Sequence, residues 1–330
     1  ATGLIESKRE GIYRVDLRLR PHGSGGPLAV SMSQFVSYYT NDASSLEKLA
    51  LVRLRTVAGD TEFRSQVERL RDAVIYKGGS IDVEELIELR RVQSGKYASD
   101  TRPNVKYGPG GLMDLEYTVQ ILQIVEGAEE PKLRTPFMHE TFRSLAERGT
   151  IDARTTSALE GGYFFLRRLI NALRMLRGNA LDLYLPERDS SELFHLARRM
   201  GYRASAGVGA EEQLWIDFQK HTAVVRSFVE HRLGPHAVMK TGPGTIADLL
   251  LRERPETDEV DALFRSCGFR DAERAYSNFR EIMHRGKDET RFLEQALFAW
   301  DYLRQSPDPD MALNNWERFV RAQSDPAQHF

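Results

Sequence analysis

Cysteine is almost absent from this chain. Its 330 residues include one, Cys267, which excludes an internal disulfide and any cysteine-rich metal site and makes a cytoplasmic address the default expectation. Long apolar runs are also missing, so the sequence offers no membrane span. The first residues, Ala1-Thr2-Gly3-Leu4-Ile5-Glu6, show no basic stretch leading into an apolar core, and so no secretory signal. They also lack an initiator Met, which suggests an excised piece. Net charge is close to balance at −2, which argues against a general nucleic-acid or membrane-surface binder. The eight histidines show no His-x-x-x-His spacing, so a zinc site is not expected, and His139, His195, His221 and His231 read as helix-surface or core-edge residues. Nucleophile-elbow, P-loop and strand-linked Gly-x-Gly-x-x-Gly motifs are absent, as are internal repeats and low-complexity tracts.

The remaining composition, 41% hydrophobic and 28% charged, is that of a globular protein with about two domains' worth of chain. Tyr13-Arg14-Val15-Asp16-Leu17-Arg18-Leu19-Arg20-Pro21 alternates as a strand does, with Tyr13, Val15, Leu17 and Leu19 on one face and Asp16 among arginines on the other. A carboxylate between arginines suits a divalent metal and a phosphate; ion pairing of Arg18 and Arg20 with Asp16 is the plainer alternative. A Gly/Pro loop follows, and Leu28-Ala29-Val30-Ser31 is expected to pair back as a second strand. Ser31 or Ser33 can then cap a helix through Tyr39.

Helical periodicity takes over from there. Helices are expected over residues 44–58, 61–76, 82–94, 112–126, 137–148, 153–178, 189–200, 209–233, 245–254, 258–266, 271–284, 288–304 and 310–322. The fold class is therefore mainly α: a helical bundle with a small N-terminal β remnant. The expected domains are residues 1–40, the end of a catalytic domain; 41–234, a helical bundle; and 235–330, a helical connector after Gly234-Pro235.

Beyond Asp16, chemistry-bearing residues gather at Gly108-Pro109-Gly110-Gly111 and at Asp114 and Glu116 on the helix that follows. Glycines before a helix allow close backbone approach, and the helix N-terminus can hold an anion. Acids in a first turn also simply complement the helix dipole. Two residues apart, Asp114 and Glu116 point to different faces and cannot act as a simple pair. Glu116, Gln120 and Gln123 form a polar stripe open to solvent or a cleft. Arg55 and Lys106 are further possible phosphate contacts, although helical cations are usually solvated.

Together these residues resemble one family, the bacterial glutamine synthetase adenylyltransferase/deadenylase proteins. Asp16-Leu17-Arg18-Leu19-Arg20-Pro21 with Gly26-Pro27-Leu28 is similar to its DxRLRPxGxxGPL segment. Tyr38-Tyr39, Glu47, Ala50-Leu51 and Arg55-x-Val57-Ala58-Gly59-Asp60 resemble the next block. Lys106-x-Gly108-x-Gly110-Gly111-x-x-Asp114-Leu115-Glu116-Tyr117-x-x-Gln120 resembles its K-x-G-x-GGIRDIEF-x-x-Q block, and Tyr163-x-Phe165-Leu166-Arg167 extends the likeness. The resemblance implies a Mg²⁺-dependent bifunctional nucleotidyltransferase of nitrogen metabolism, which removes AMP from a glutamine synthetase tyrosine by phosphorolysis and attaches it from ATP. This chain is most like part of the N-terminal, deadenylase half.

The implied roles are catalytic for Asp16, Asp114 and Glu116, metal binding for Asp16, and phosphate or nucleotide binding for Arg18, Arg20, Arg55, Lys106, Gly110 and Gly111. The implied partners are glutamine synthetase, a PII-type signalling protein, ATP or ADP and phosphate, with no nucleic acid and no membrane. Two of the family's three metal carboxylates lie in an Asp-x-Asp segment upstream of this sequence. Met113 stands where the family has Arg, and Leu46 where it has Trp. A non-catalytic docking module for glutamine synthetase or a PII-type protein is the alternative. A PII uridylyltransferase is a third reading, against which the Gly110-Gly111-x-x-Asp114-x-Glu116 block is expected to argue.

Overall fold

The computed structural model describes residues 19–77, 81–99, 102–205, 207–239, 244–252, 254–284 and 292–322. Among these residues it is all-helical, with two isolated β-bridges, Asn104–Tyr184 and Ser205–Val208, and no strand. The expected strand at 13–21 lies outside the described residues as far as residue 18; Leu19 and Arg20 belong to a turn. Leu28–Ser31, expected as a second strand, is irregular. Ser31 instead closes a capping box with Gln34 that starts α1, Met32–Asn41.

The caps explain where the helices begin. Ser44 and Glu47 box the start of α2, Ser45–Leu51. Asp60 caps α3, Thr61–Asp72, and Asp82 caps α4, Val83–Lys96. Helix α5, Leu112–Glu126, starts without a side-chain cap after Gly111. Helix α6, Met138–Arg148, and α7, Ala153–Arg177, both end at glycines of left-handed φ, as helix C-termini commonly do. The expected helix at 44–58 stops at Leu51, because the next residues open into a loop held by tertiary contacts described below.

Tyr38, Tyr39, Leu51, Val52, Val74, Ile75 and Tyr76 form a small apolar cluster at the N-terminal end. The main core lies among α5, α6, α7, α8 (Ser191–Met200) and α9 (Ala210–Leu233), built on Leu115, Val119, Phe142, Leu159, Leu166, Leu173, Leu196 and Val225. A further core joins α10 (Ile246–Leu251), α11 (Thr257–Ser266), α12 (Ala272–His284), α13 (Phe292–Gln305) and α14 (Pro309–Ala322) around Phe264, Phe279 and Trp300. Helix α9 serves both large cores. Leu214, Phe218 and Val225 enter the main one, and Ile216 and Ala223 the C-terminal one. A helix that is apolar on opposite sides must be buried between two layers, and α9 packs against α5, α7, α8, α10 and α13.

His221 sits on α9 with its ring stacked on Phe165, 4.6 Å between centroids, above Gly162 of α7. Burial lowers its pKa to about 4, helped by Lys220 and opposed by Asp217. The unfolded chain therefore takes up this proton near pH 6.5 and the folded chain does not. The resulting stability is full above pH 6.5 and is lost as pH falls towards 4. The difference in unfolding free energy between the native chain and His221→Phe should shrink across that window by about 3 kcal/mol, at 1.36 kcal/mol per pKa unit. Parallel stability–pH curves in urea titrations of the two proteins would contradict the assignment.

Candidate functional site

The loop before α5 is tied by its own backbone. Asn104 Oδ1 accepts from the Lys106 and Tyr107 N–H groups at 3.1 and 2.9 Å, forming an Asx turn. Val105 donates to Leu183, and Gly108 donates to Asn104. Gly111, Leu112 and Met113 donate to the carbonyls of Gly108, Val105 and Lys106 at 2.9–3.1 Å. The N–H groups that would face an anion at the start of α5 are thus already bonded.

The glycines serve close packing rather than an open cradle. Gly110 has φ +74°, and a Cβ there would lie 2.3 Å from Thr222 O and 2.9 Å from an Arg226 nitrogen. At Gly111 a Cβ would meet the Val105 carbonyl at 2.8 Å. The loop lies flush on α9, which an added methyl would prevent.

Asp114 locks this arrangement. Its carboxylate accepts from the Gly110 N–H at 2.6 Å and pairs with Arg90 Nε at 2.9 Å, both side chains being buried. Arg90 also donates to the Tyr107 carbonyl at 2.9 Å. Burial pushes the Asp114 carboxyl above its ordinary range, against the pull of Arg90, the Gly110 N–H and Arg226. Arg226 reaches the same loop from α9, donating to Pro109 O at 3.2 Å while pairing with Asp248. Burial opposes the Asp248 charge, but Arg226 and Thr245 hold its carboxyl below the usual range.

Glu116 points elsewhere, as helical spacing requires. It is buried and pairs with Arg53 at 2.9 Å, whose own side chain is 41% exposed. Arg167 approaches from α7, donating to the Tyr163 hydroxyl at 2.6 Å and stacking on its ring. The Tyr163 bond, and secondarily the Glu116 charge, raise the Arg167 pKa. Arg55 is exposed and lies over the Phe137 ring at 6.0 Å. An accessible guanidinium that gives Nη2 to a buried carboxylate still has N–H donors to offer an anion while keeping its acid partner, and a second arginine close by adds charge.

The other expected contacts are placed differently. Lys106 lies 4.8 Å over the Tyr107 ring. Arg20 donates to the Ser24 and Gly26 carbonyls of its own loop. Gln123 faces inward, its amide donating to Leu133 and Thr135 carbonyls at 2.7 and 2.9 Å. Met113 is half-buried at the start of α5, and Leu46 is largely exposed on α2. Asp16 and Arg18 lie outside the described residues. Among the described residues no three metal-ligating side chains come together. Asp114 and Glu116, each bound to an arginine, do not fit a Mg²⁺ site.

Arg53, Arg90 and Arg226 were not among the expected site residues, and only tertiary structure reveals their partners. A cavity of about 330 Å³ lies behind the loop, lined by Pro109, Thr222, Arg226, Asp248 and Arg252 among others. Its charges pair with each other, Arg226 with Asp248 and Arg252 with Glu230 and Glu259.

An all-helical scaffold presenting an arginine-framed carboxylate is the class these observations define. Comparisons make it specific. Residues 5–70 match the family model of glutamate-ammonia ligase adenylyltransferase, and residues 82–233 that of GlnD PII-uridylyltransferase. The chain is similar to bifunctional glutamine synthetase adenylyltransferase/adenylyl-removing enzymes. That of Streptomyces avermitilis is 28% identical over 95% of this chain, that of Xanthomonas campestris pv. campestris 34% over 79%, and that of Cutibacterium acnes 32% over 63%. It spans 31%, 27% and 21% of those relatives' lengths. The chain belongs to the glutamine synthetase adenylyltransferase family. The Gly-Gly-x-x-Asp-x-Glu block does not by itself exclude a PII uridylyltransferase, because it falls within the segment that matches that model.

Substituting glycine tests the packing role. Gly110→Ala should cost about 3 kcal/mol, combining left-handed strain with overpacking. Gly149→Ala, at φ +78° with open space around it, should cost only the strain, about 1 kcal/mol. Equal losses for the two variants in chemical denaturation would refute the close-approach argument.

Proposed function

We propose that this chain is part of a bifunctional nucleotidyltransferase acting on glutamine synthetase, from the half that removes AMP. The observation that carries this reading is the likeness to enzymes of that name along 95% of the chain, and the arginine-framed Glu116 adds a site of suitable charge. In the proposed reaction a phosphate oxygen forms a bond to the AMP phosphorus. The bond from that phosphorus to the tyrosine oxygen breaks, ADP is released, and the proton carried in by the phosphate passes to the tyrosine oxygen and restores its hydroxyl. Arg53 and Arg167 hold the incoming phosphate, and Arg55 adds positive charge at the mouth. Glu116 keeps the Arg53 guanidinium oriented before phosphate arrives. Asp114 acts indirectly by fixing the loop ahead of α5. Mg²⁺ enters the proposal only through Asp16.

Asp16→Asn in the intact parent enzyme should abolish release of AMP from adenylylated glutamine synthetase. Arg53→Ala should slow that release about a hundredfold, as losing one preorganised charge donor does. Near-native rates in both variants would sink the assignment.

A non-catalytic docking module for glutamine synthetase or a PII-type protein is the second reading, favoured by the arginine pairing of both Asp114 and Glu116. Calorimetric titration of the chain with Mg²⁺-ATP and Mg²⁺-ADP separates the two, since metal-dependent nucleotide binding contradicts docking alone.

A further inference from the structure

Arg71 is the most deeply buried charged residue of α3, yet nothing in the reaction proposed above calls on it. Its side chain is 8% exposed. Nε and Nη2 grip Asp72 at 2.8 and 2.6 Å, which turns the planar guanidinium and fixes the aim of its remaining donors. Nη1 donates to the carbonyl of Leu54 at 2.9 Å, and Nη2 reaches the carbonyl of Arg134 at 3.2 Å. Leu54 lies between Arg53, the partner of Glu116, and Arg55, which covers Phe137. One buried guanidinium therefore holds the backbone from which both exposed arginines project.

The other end of this tether is equally built. Arg134 stacks on Tyr76 at 5.2 Å and donates to the Gly127 and Ala128 carbonyls at 2.7 and 3.1 Å. Gln123 of α5, two turns beyond Glu116, holds the carbonyls on either side of Arg134, those of Leu133 and Thr135. The loop after α2, the turn before α6 and the C-terminal half of α5 are thus joined through Arg71. Helix α5 is the element that carries Glu116. The site's two halves, Arg53 and Glu116, come from separate elements, and Arg71 is the buried donor that reaches both surroundings.

We infer that Arg71 is a positioning residue: it sets the Arg53–Arg55 segment against Glu116 so that the two guanidiniums meet a phosphate-class anion together. This rests on the anion-site reading of Arg53 given above. Lysine cannot substitute, because a single ammonium lacks the fork that grips Asp72 while reaching two carbonyls.

The test uses the 330-residue chain, an arginine-selective dicarbonyl reagent read by mass spectrometry, and inorganic phosphate as the probe. Phosphate should slow modification of Arg53 in the native chain. In Arg71→Met and Arg71→Lys, Arg53 should react faster, and the phosphate concentration for half-protection should rise about tenfold, the loss expected for one hydrogen-bonded support. Amide exchange in α7 and α9 should be unchanged, which separates positioning from general destabilisation. Unchanged Arg53 reactivity and protection in both variants overturn the inference. If phosphate fails to protect the native chain while Arg53 still reacts faster without Arg71, the tether stands and the anion-site reading falls. Should neither variant fold, Asp72→Asn, which loosens the guanidinium without removing it, is read by the same two measurements.

Discussion

A carboxylate buried where Asp114 lies is costly to ionise, and much of the structure around α5 answers that cost. Removing such a group from water disfavours its charge unless an opposite charge and hydrogen bonds replace the lost hydration. Arg90 supplies the charge, and the Gly110 N–H supplies a short hydrogen bond. Each of those partners is constrained in turn. Gly110 can reach the carboxylate only in a left-handed turn pressed on α9. Arg90 is held by the Tyr107 carbonyl. The direction of α5, and with it the place of Glu116, follows from satisfying one buried charge.

Helix α9 carries that constraint further. Because both its faces are apolar, it is shared by two cores, and Arg226 and Asp248 add an ionic contact between α9 and α10. Near α13 the same helix is pinned by Lys220 to Glu294, while Glu212 and Asp301 share Arg188. Exposed ion pairs contribute little, but these are half-buried and networked, where removing one partner strands a desolvated charge. Loop, bundle and C-terminal helices are therefore coupled through contiguous side chains rather than packed independently.

How much of this could be read beforehand divides along the range of the interactions. The helices follow from local pattern: Leu159, Leu166, Leu169 and Leu173 mark the buried side of α7, and Asp60, Asp82, Asp152 and Ser190 mark helix starts. The divergence of Asp114 from Glu116 follows from helix geometry alone. What escaped depends on partners distant in sequence. Nothing in the local pattern singles out Arg71 or Arg90, whose roles depend on Leu54, Arg134 and Asp114 being brought beside them. Gly110 and Gly111 fit an anion cradle by composition, yet their N–H groups already donate to the Asp114 carboxylate and the Gly108 carbonyl. Gln123 reads as part of a polar stripe, although it is a clamp on the turn before α6.

The two family models that divide this chain make physical sense against that geometry. Residues 82–233 contain Arg90, Asp114, Gly110 and Arg226, the parts that fix a bundle and its loop, and they resemble a PII-uridylyltransferase. None of those residues distinguishes one protein target from another, because their partners are all internal. Arg53 and Arg55 lie in the segment 5–70 that matches the adenylyltransferase model, and they are the accessible ones. A scaffold shared between enzymes with different targets should keep its buried charge network and vary the surface it presents. The Arg53–Glu116 pair joins the two segments: Glu116 lies in the one that resembles the uridylyltransferase and Arg53 in the one that matches the adenylyltransferase model.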